Sequence, residues 1–278
     1  MRLMLIAMCA LAAGHPSVQS LATQEAPLTR VGMPRGTIIL ASAQTPAILA
    51  RFIDAAGGPD SPIVLVPTGS LQRPGAAQMF LGSSSDPGAA LKAAGAKRVV
   101  VIHTFDRTVA DSDSFVEPIR RAAAVWFGGG LPENLLDTYA GTKAEAEFKN
   151  VLTRGGVVGG ISAGAVILGS VTANGLLGAD RQRVVRKGFG LLRGVAFQPH
   201  AQNPQPESWM LERTDLLRLA ADNSTAWVVV GDVAEIVGGG SAYVYEKSAD
   251  AADAPFITLR PGDRYDLAAR VIRRAEGR

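Results

Sequence analysis

The sequence predicts an α/β fold, a doubly wound and mostly parallel sheet with a β-rich extension toward its C-terminal end. Three observations carry that reading. Short apolar runs rich in β-branched residues recur between residues 37 and 160, helical patterns stopped by glycine separate most of them, and beyond residue 225 the runs crowd together at hairpin spacing.

The apolar runs are Thr37 to Leu40, Ile63 to Pro67, Arg98 to His103, Ala123 to Phe127 and Val157 to Gly160. A strand covered by helices on both faces needs no polar side, so it reads as a continuous apolar run. Between them, helices are expected over Thr45 to Ala56 before Gly57-Gly58, Pro87 to Ala94 before Gly95, Asp113 to Ala122, and Lys143 to Thr153 before Gly155-Gly156. Glycine just past the last apolar turn is the usual helix stop. Further on, Trp209 to Ala221 reads as a helix. Ala226 to Gly231, Val233 to Val237 and Ala242 to Glu246 read as closely spaced strands, with Gly238-Gly239-Gly240 as a turn. One domain over residues 36–278 is expected, and in such sheets sites gather at the C-terminal ends of the strands.

The N-terminal segment reads as an export signal over residues 1–20. Arg2 supplies the positive start, Leu3 to Ala13 the apolar stretch, and Val18-Gln19-Ser20 a small-residue cleavage site. Residues 21–35 read as a linker, and the expected location is secreted or periplasmic. A retained anchor or a lipoprotein is the alternative, although Cys9 has no lipobox around it. The apolar stretch is shorter than the roughly 20 residues a membrane span needs, and no later segment qualifies. Cys9 is the only cysteine, so a processed chain has no disulfide, no thiol nucleophile and no thiolate metal site.

With 28 basic and 25 acidic residues the net charge is +3, and loss of Arg2 lowers it by one. That balance argues against a nucleic-acid partner. The cluster Arg264, Arg270, Arg273, Arg274 and Arg278 reads as a solvated end. Monomer and homodimer both stay open.

The chemistry centres on Gly160-Ile161-Ser162-Ala163-Gly164, between the apolar run from Val157 and an expected helix. A G-x-S-x-G motif in that setting forms a nucleophile elbow, in which a strained turn lifts the hydroxyl above the sheet. The N–H groups of the following helix favour a developing anion, so the Ala163 amide is an expected oxyanion donor. The competing reading has the glycines serving packing and Ser162 capping the helix.

A serine hydroxyl needs a base, and beyond the leader the chain has two histidines, His103 and His200. Each follows an apolar run, so position alone leaves the choice open. Gly128-Gly129-Gly130, at the end of Ala123 to Phe127, lets backbone amides approach a reacting carbonyl, making Gly129 and Gly130 the second donor region. No Lys-Ser/Thr follows that run and the spacing is not G-x-G-x-x-G, so no nucleotide cofactor is expected. Two separated histidines make a poor zinc site, and no metal is expected.

Four blocks in order, Trp126 to Gly130, Gly155 to Ala165, Gly188 to Val195 and Asp222 to Ala226, make the chain resemble the cyanophycinase and dipeptidase E family of serine peptidases over Arg98 to Glu246. The resemblance implies a class I glutamine amidotransferase-like, flavodoxin-like fold. It also implies Ser162 as nucleophile, His200 as base, oxyanion amides from Gly129, Gly130 and Ala163, and a peptide substrate, aspartyl-linked in known members. Several positions depart from the family. Leu131 stands where cyanophycinases carry a substrate-holding glutamine, Gln198-Pro199 replaces Asp-Gln before the histidine, and arginines that follow it are missing. Asp222-Asn223 stands where Asp-Glu is usual, so the third catalytic member is Asn223 or Asp222.

Three functions are therefore weighed: an exported serine peptidase with altered specificity, a weak or inactive member that binds a peptide or small ligand, and an esterase-type acyl hydrolase using the same elbow.

Overall fold

A computed structural model describes residues 36–74, 86–177, 183–201, 205–245 and 256–273. The expected signal and linker lie outside these residues. So do Arg274, Arg278 and the end of the strand expected at Glu246.

The five apolar runs form strands β1 (Thr37–Ala41), β2 (Ile63–Val66), β3 (Val99–Val101), β4 (Ala124–Phe127) and β5 (Val157–Ile161). They pair in parallel in the order β1-β5-β4-β2-β3. Alternate residues serve opposite faces. Ile39, Ala41, Ile63, Leu65 and Trp126 meet helices α1 (Pro46–Ala55) and α2 (Ala89–Ala93). Ile38, Leu40, Val64, Val66, Val125 and Phe127 face the opposite way, toward α4 (Asp113–Arg121), α5 (Pro132–Tyr139), α6 (Lys143–Thr153) and α7 (Ala163–Val166). The short α3 (Arg107–Ala110) precedes α4. Helix α1 starts where expected because Thr45 accepts a hydrogen bond from the Ile48 amide and Pro46 fits the first turn. Helix α5, unmarked in the sequence reading, likewise opens on a proline, Pro132.

The C-terminal half builds strands in two places. β10 (Thr225–Val230) pairs antiparallel with β1, and β11 (Val233–Gly238), β14 (Arg264–Asp266) and β15 (Val271–Arg273) extend that edge, giving a nine-stranded sheet. β6 (Gly169–Leu177), β7 (Arg183–Lys187), β8 (Leu192–Gln198), β9 (Leu217–Ala221), β12 (Ala242–Val244) and β13 (Ile257–Leu259) form a second, six-stranded sheet in the order β13-β12-β9-β8-β6-β7. The expected extension is therefore larger than its sequence signal, and it is shared between two sheets.

One expected element is corrected. Trp209 to Ala221 is not one helix. Only Ser208–Leu211 is helical (α8), and Leu217–Ala221 is β9. The segment's leucines and alanines favour a helix locally, but β9 lies between β8 and β12, where Leu217, Leu219, Ala220 and Ala221 are buried. Pairing and burial on both sides override the local preference. Arg273, expected on a solvated end, is exposed on the edge strand β15 and also pairs with the buried Asp266.

Candidate active site

The run after β5 turns sharply. Ser162 has φ 49° and ψ −117°, and α7 begins at Ala163. Both motif glycines are required by contact. A Cβ on Gly160 would lie 2.4 Å from the Gly164 carbonyl oxygen, and one on Gly164 would lie 2.5 Å from that of Phe127. Real side chains do not tolerate such approaches, so the tight turn over β4 needs both positions bare. Within the turn, the Ser162 carbonyl accepts from the Ala165 and Val166 amides, and the Ser162 amide donates to the Ala41 carbonyl at 2.9 Å. The Ala163 amide, in the first turn, has no intrahelical acceptor.

His200 lies two residues beyond β8, also at positive φ (60°). Its Nε2 is 2.9 Å from Ser162 Oγ, and its Nδ1 is 2.5 Å from Asn223 Oδ1. An amide oxygen only accepts, so Nδ1 donates in that contact, and in the neutral ring Nε2 is then the nitrogen whose lone pair faces the serine hydroxyl. Ser162, His200 and Asn223 thus lie in one hydrogen-bonded line, with His200 and Asn223 open to solvent.

Asp222 is turned elsewhere. Its carboxylate accepts from the Ser241 amide (2.6 Å), the Ser224 amide (3.0 Å) and the Thr225 hydroxyl (2.8 Å). Burial pushes its pKa up, but these donors outweigh that and hold it below the ordinary carboxyl value. Asp222 therefore ties the β9–β10 turn to the segment before β12, while its neighbour Asn223 reaches the histidine.

Gly128, Gly129 and Gly130 follow β4 beside this line. A Cβ on Gly129 would stand 3.5 Å from Ser162 Cβ. Gly130, at φ 110°, packs so closely that a Cβ would meet the Gly69 carbonyl oxygen at 2.1 Å. The next amide, Leu131, donates to that oxygen at 2.8 Å and fixes the loop. Gly130, Ser162, Ala163 and His200 line a cleft of about 340 Å³ together with Arg183, Gln198, Glu207 and Trp209. Glu207 accepts there from Arg183 Nε (2.7 Å) and Trp209 Nε1 (2.9 Å).

His103 sits apart from that cleft. Its Nδ1 meets the Thr68 hydroxyl at 3.0 Å, Thr68 meets the Tyr139 hydroxyl at 2.6 Å, and Phe105 packs edge-on against the ring. Burial lowers the His103 pKa, and it pushes the Tyr139 phenol up to about 12. Among the described residues no group of three His, Cys, Asp or Glu side chains could hold a metal ion.

Two further residues support the histidine: Ser42, which carries no sequence motif, and Gln198, marked in the sequence only as a departure from the family pattern. Buried Ser42 receives the His200 amide on its Oγ at 3.3 Å. Gln198 accepts from the Glu207 amide (2.8 Å) and donates to the Gln205 carbonyl (3.1 Å), bracketing the loop that His200 opens. Both stand at the C-terminal ends of strands, β1 and β8, where sites gather in such sheets.

The model of peptidase family S51 matches residues 38–237. A cyanophycinase from Geminocystis herdmanii (strain PCC 6308) is 25% identical over 212 residues, 73% of this chain and 75% of the relative. The crystal structure of a peptidase from an acI-B1 Actinobacterium has a TM-score of 0.64 at 23% identity, covering 84% of this chain and 98% of that one. A Listeria monocytogenes EGD-e protein assigned as a peptidase E has a TM-score of 0.50 at 14% identity, covering 81% and 98%. At those identities the two solved structures speak for the fold alone.

Proposed function

The chain belongs to peptidase family S51, the serine peptidases of the cyanophycinase and dipeptidase E type, and from that premise we propose that it cleaves small peptides, aspartyl-linked ones among them, through an acyl-enzyme on Ser162. The observation that carries this is the hydrogen-bonded line Ser162–His200–Asn223.

In the proposed reaction, Ser162 Oγ attacks the scissile carbonyl while His200 Nε2 takes its proton. Asn223 Oδ1 holds the ring with Nδ1–H outward, as the amide does in Cys-His-Asn proteases. The oxyanion is bound by amides of Ala163 and the Gly129–Gly130 loop, where charge develops against fixed dipoles. His200 returns the proton to the leaving amine, and water, deprotonated by the same nitrogen, releases the acyl group. A cleft of about 340 Å³ holds a few residues of peptide and is at the small end for ligand sites. The order β3-β2-β4-β5-β1 supports a flavodoxin-like core, since it follows the flavodoxin order with β1 in the last place. Export through residues 1–20 is part of the same proposal.

A fluorophosphonate probe tests the chemistry, and a dipeptide library that includes β-aspartyl peptides tests the substrate. Labelling of wild type but not Ser162→Ala, with turnover of at least one peptide, is the expected result. Peptide binding that survives Ser162→Ala, with no labelling and no turnover, would assign a binding role. Faster turnover of simple esters than of any peptide would assign an acyl hydrolase.

A further inference from the structure

The end of β1 contacts the backbones of Ser162 and His200 and both ends of the turn that carries Asn223. The Ala41 carbonyl accepts the Ser162 amide at 2.9 Å. The next residue, Ser42, is 1% exposed and lies where β1, β9 and β10 meet. Its amide donates to the Thr225 carbonyl (3.2 Å), its hydroxyl donates to the Ala221 carbonyl (2.7 Å), and the same oxygen accepts the His200 amide (3.3 Å). Ala221 and Thr225 flank Asn223 two residues away on either side. The Ala221 carbonyl also accepts the Ala201 amide at 3.0 Å, so His200 is tied on its own amide and on the next one.

We infer that Ser42 is a positioning residue, whose single hydroxyl couples the His200 backbone to the turn that carries Asn223. The reasoning rests on the reading of Ser162 and His200 as the reacting pair. His200 sits at φ 60°, a conformation that an L-residue holds only when its surroundings over-determine it. Its ring then has to satisfy Ser162 and Asn223 from opposite edges, at 2.9 and 2.5 Å. Those partners come from β5 and from the β9–β10 turn, which are far apart in sequence. Ser42 is where both are referenced to one point, because Ala41 fixes the serine and Ser42 fixes the histidine and the turn. Without the hydroxyl, the His200 amide and the Ala221 carbonyl each lose a buried partner, and the backbone link between the two segments falls to the Ala201 amide and the Ala221 carbonyl. Ser42 touches no reacting atom. Its effect is expected in the chemical step and not in binding.

The test is fluorophosphonate inactivation of the full chain, resolved into a maximal rate and a half-saturating concentration. Ser42→Ala is expected to lower the maximal rate about 10- to 100-fold, the cost of a misplaced catalytic group, and to leave the half-saturating concentration unchanged. In a His200→Ala background the same substitution is expected to have no further effect, because it acts through that ring. Thr138→Ala removes a buried hydroxyl bonded to Asn134 away from the cleft and is expected to leave both parameters at wild type. Should Ser42→Ala not fold, Ser42→Cys keeps the volume, weakens the hydrogen bonds and is read in the same way. Wild type labelled at Ser162 with an unchanged rate in the Ser42 variant overturns the positioning role and leaves the peptidase reading standing. So does an equal loss in the His200→Ala background. Wild type unlabelled at Ser162 overturns both.

Discussion

Ser162 and His200 meet at 2.9 Å with both backbones at positive φ, 49° and 60°. Among the described residues only Arg270 is a further non-glycine in that region. Strained backbone is thus concentrated on the two groups proposed to react, as expected where geometry is held for chemistry at the expense of stability.

Relief of that strain is measurable. Ser162→Gly suits φ 49° without a Cβ and is expected to stabilise the fold by about 1 kcal/mol while abolishing labelling. Urea unfolding followed by circular dichroism checks the first part, and the probe checks the second.

The third member of the line is an amide. Asn223→Ala removes the acceptor from Nδ1 and is expected to slow labelling about 10- to 100-fold without a matching loss of stability. Asn223→Asp keeps an acceptor and adds charge that stabilises an imidazolium, so its rate should equal or exceed wild type. A rate for Asn223→Asp as low as that of Asn223→Ala would show that the amide serves another purpose.

The two histidines separate cleanly. His200→Ala is expected to reduce labelling by about 10³-fold or more. His103→Ala should stay within about twofold of wild type, because its partner Thr68 leads to Tyr139 and not to the cleft. Tyr139→Phe, which takes one of its two partners from the buried Thr68 hydroxyl and leaves His103, should cost stability of about 1 kcal/mol with labelling unchanged. Thermal melts alongside the labelling rates distinguish these outcomes.

Gly164→Ala places a methyl 2.5 Å from the Phe127 carbonyl oxygen, so backbone must move. A destabilisation of about 2–4 kcal/mol is expected, together with lost labelling, because the turn that lifts Ser162 no longer closes over β4. Equilibrium urea unfolding gives the magnitude.

Asp222 supplies a pH signature in stability. Its folded pKa lies below the ordinary 3.8 because the Ser241, Ser224 and Thr225 donors outweigh burial. The sign follows from linkage: the unfolded chain binds this proton more readily, so the contribution is fully present above pH 3.8 and is lost as pH falls through the lower folded value. Asp222→Asn should be less stable than wild type near neutrality, and the gap should narrow through that acid window. A gap independent of pH would place the effect in shape and not in charge.

The elements that can be read from the residues are those whose cause is local. Continuous apolar runs marked β1, β2, β4 and β5 because strands covered on both faces need no polar residues. The elbow was legible for a similar reason, since close approach of Gly160 and Gly164 to neighbouring carbonyls leaves its mark as a G-x-S-x-G motif. What no local pattern contains is the meeting of distant segments. The Trp209 to Ala221 stretch looked helical because its partners, β8 and β12, are set by the fold. Asp222 and Asn223 were equal candidates on paper, and the turn settles where each points by spending the carboxylate on Ser241, Ser224 and Thr225, which leaves the amide to reach His200. Ser42 carries no motif, only a place at the C-terminal end of an apolar run. Residues 42, 162, 200 and 223 come together only when β1, β5, β8 and the β9–β10 turn are assembled, and hydrogen bonds between groups so far apart in sequence exist only in the tertiary structure.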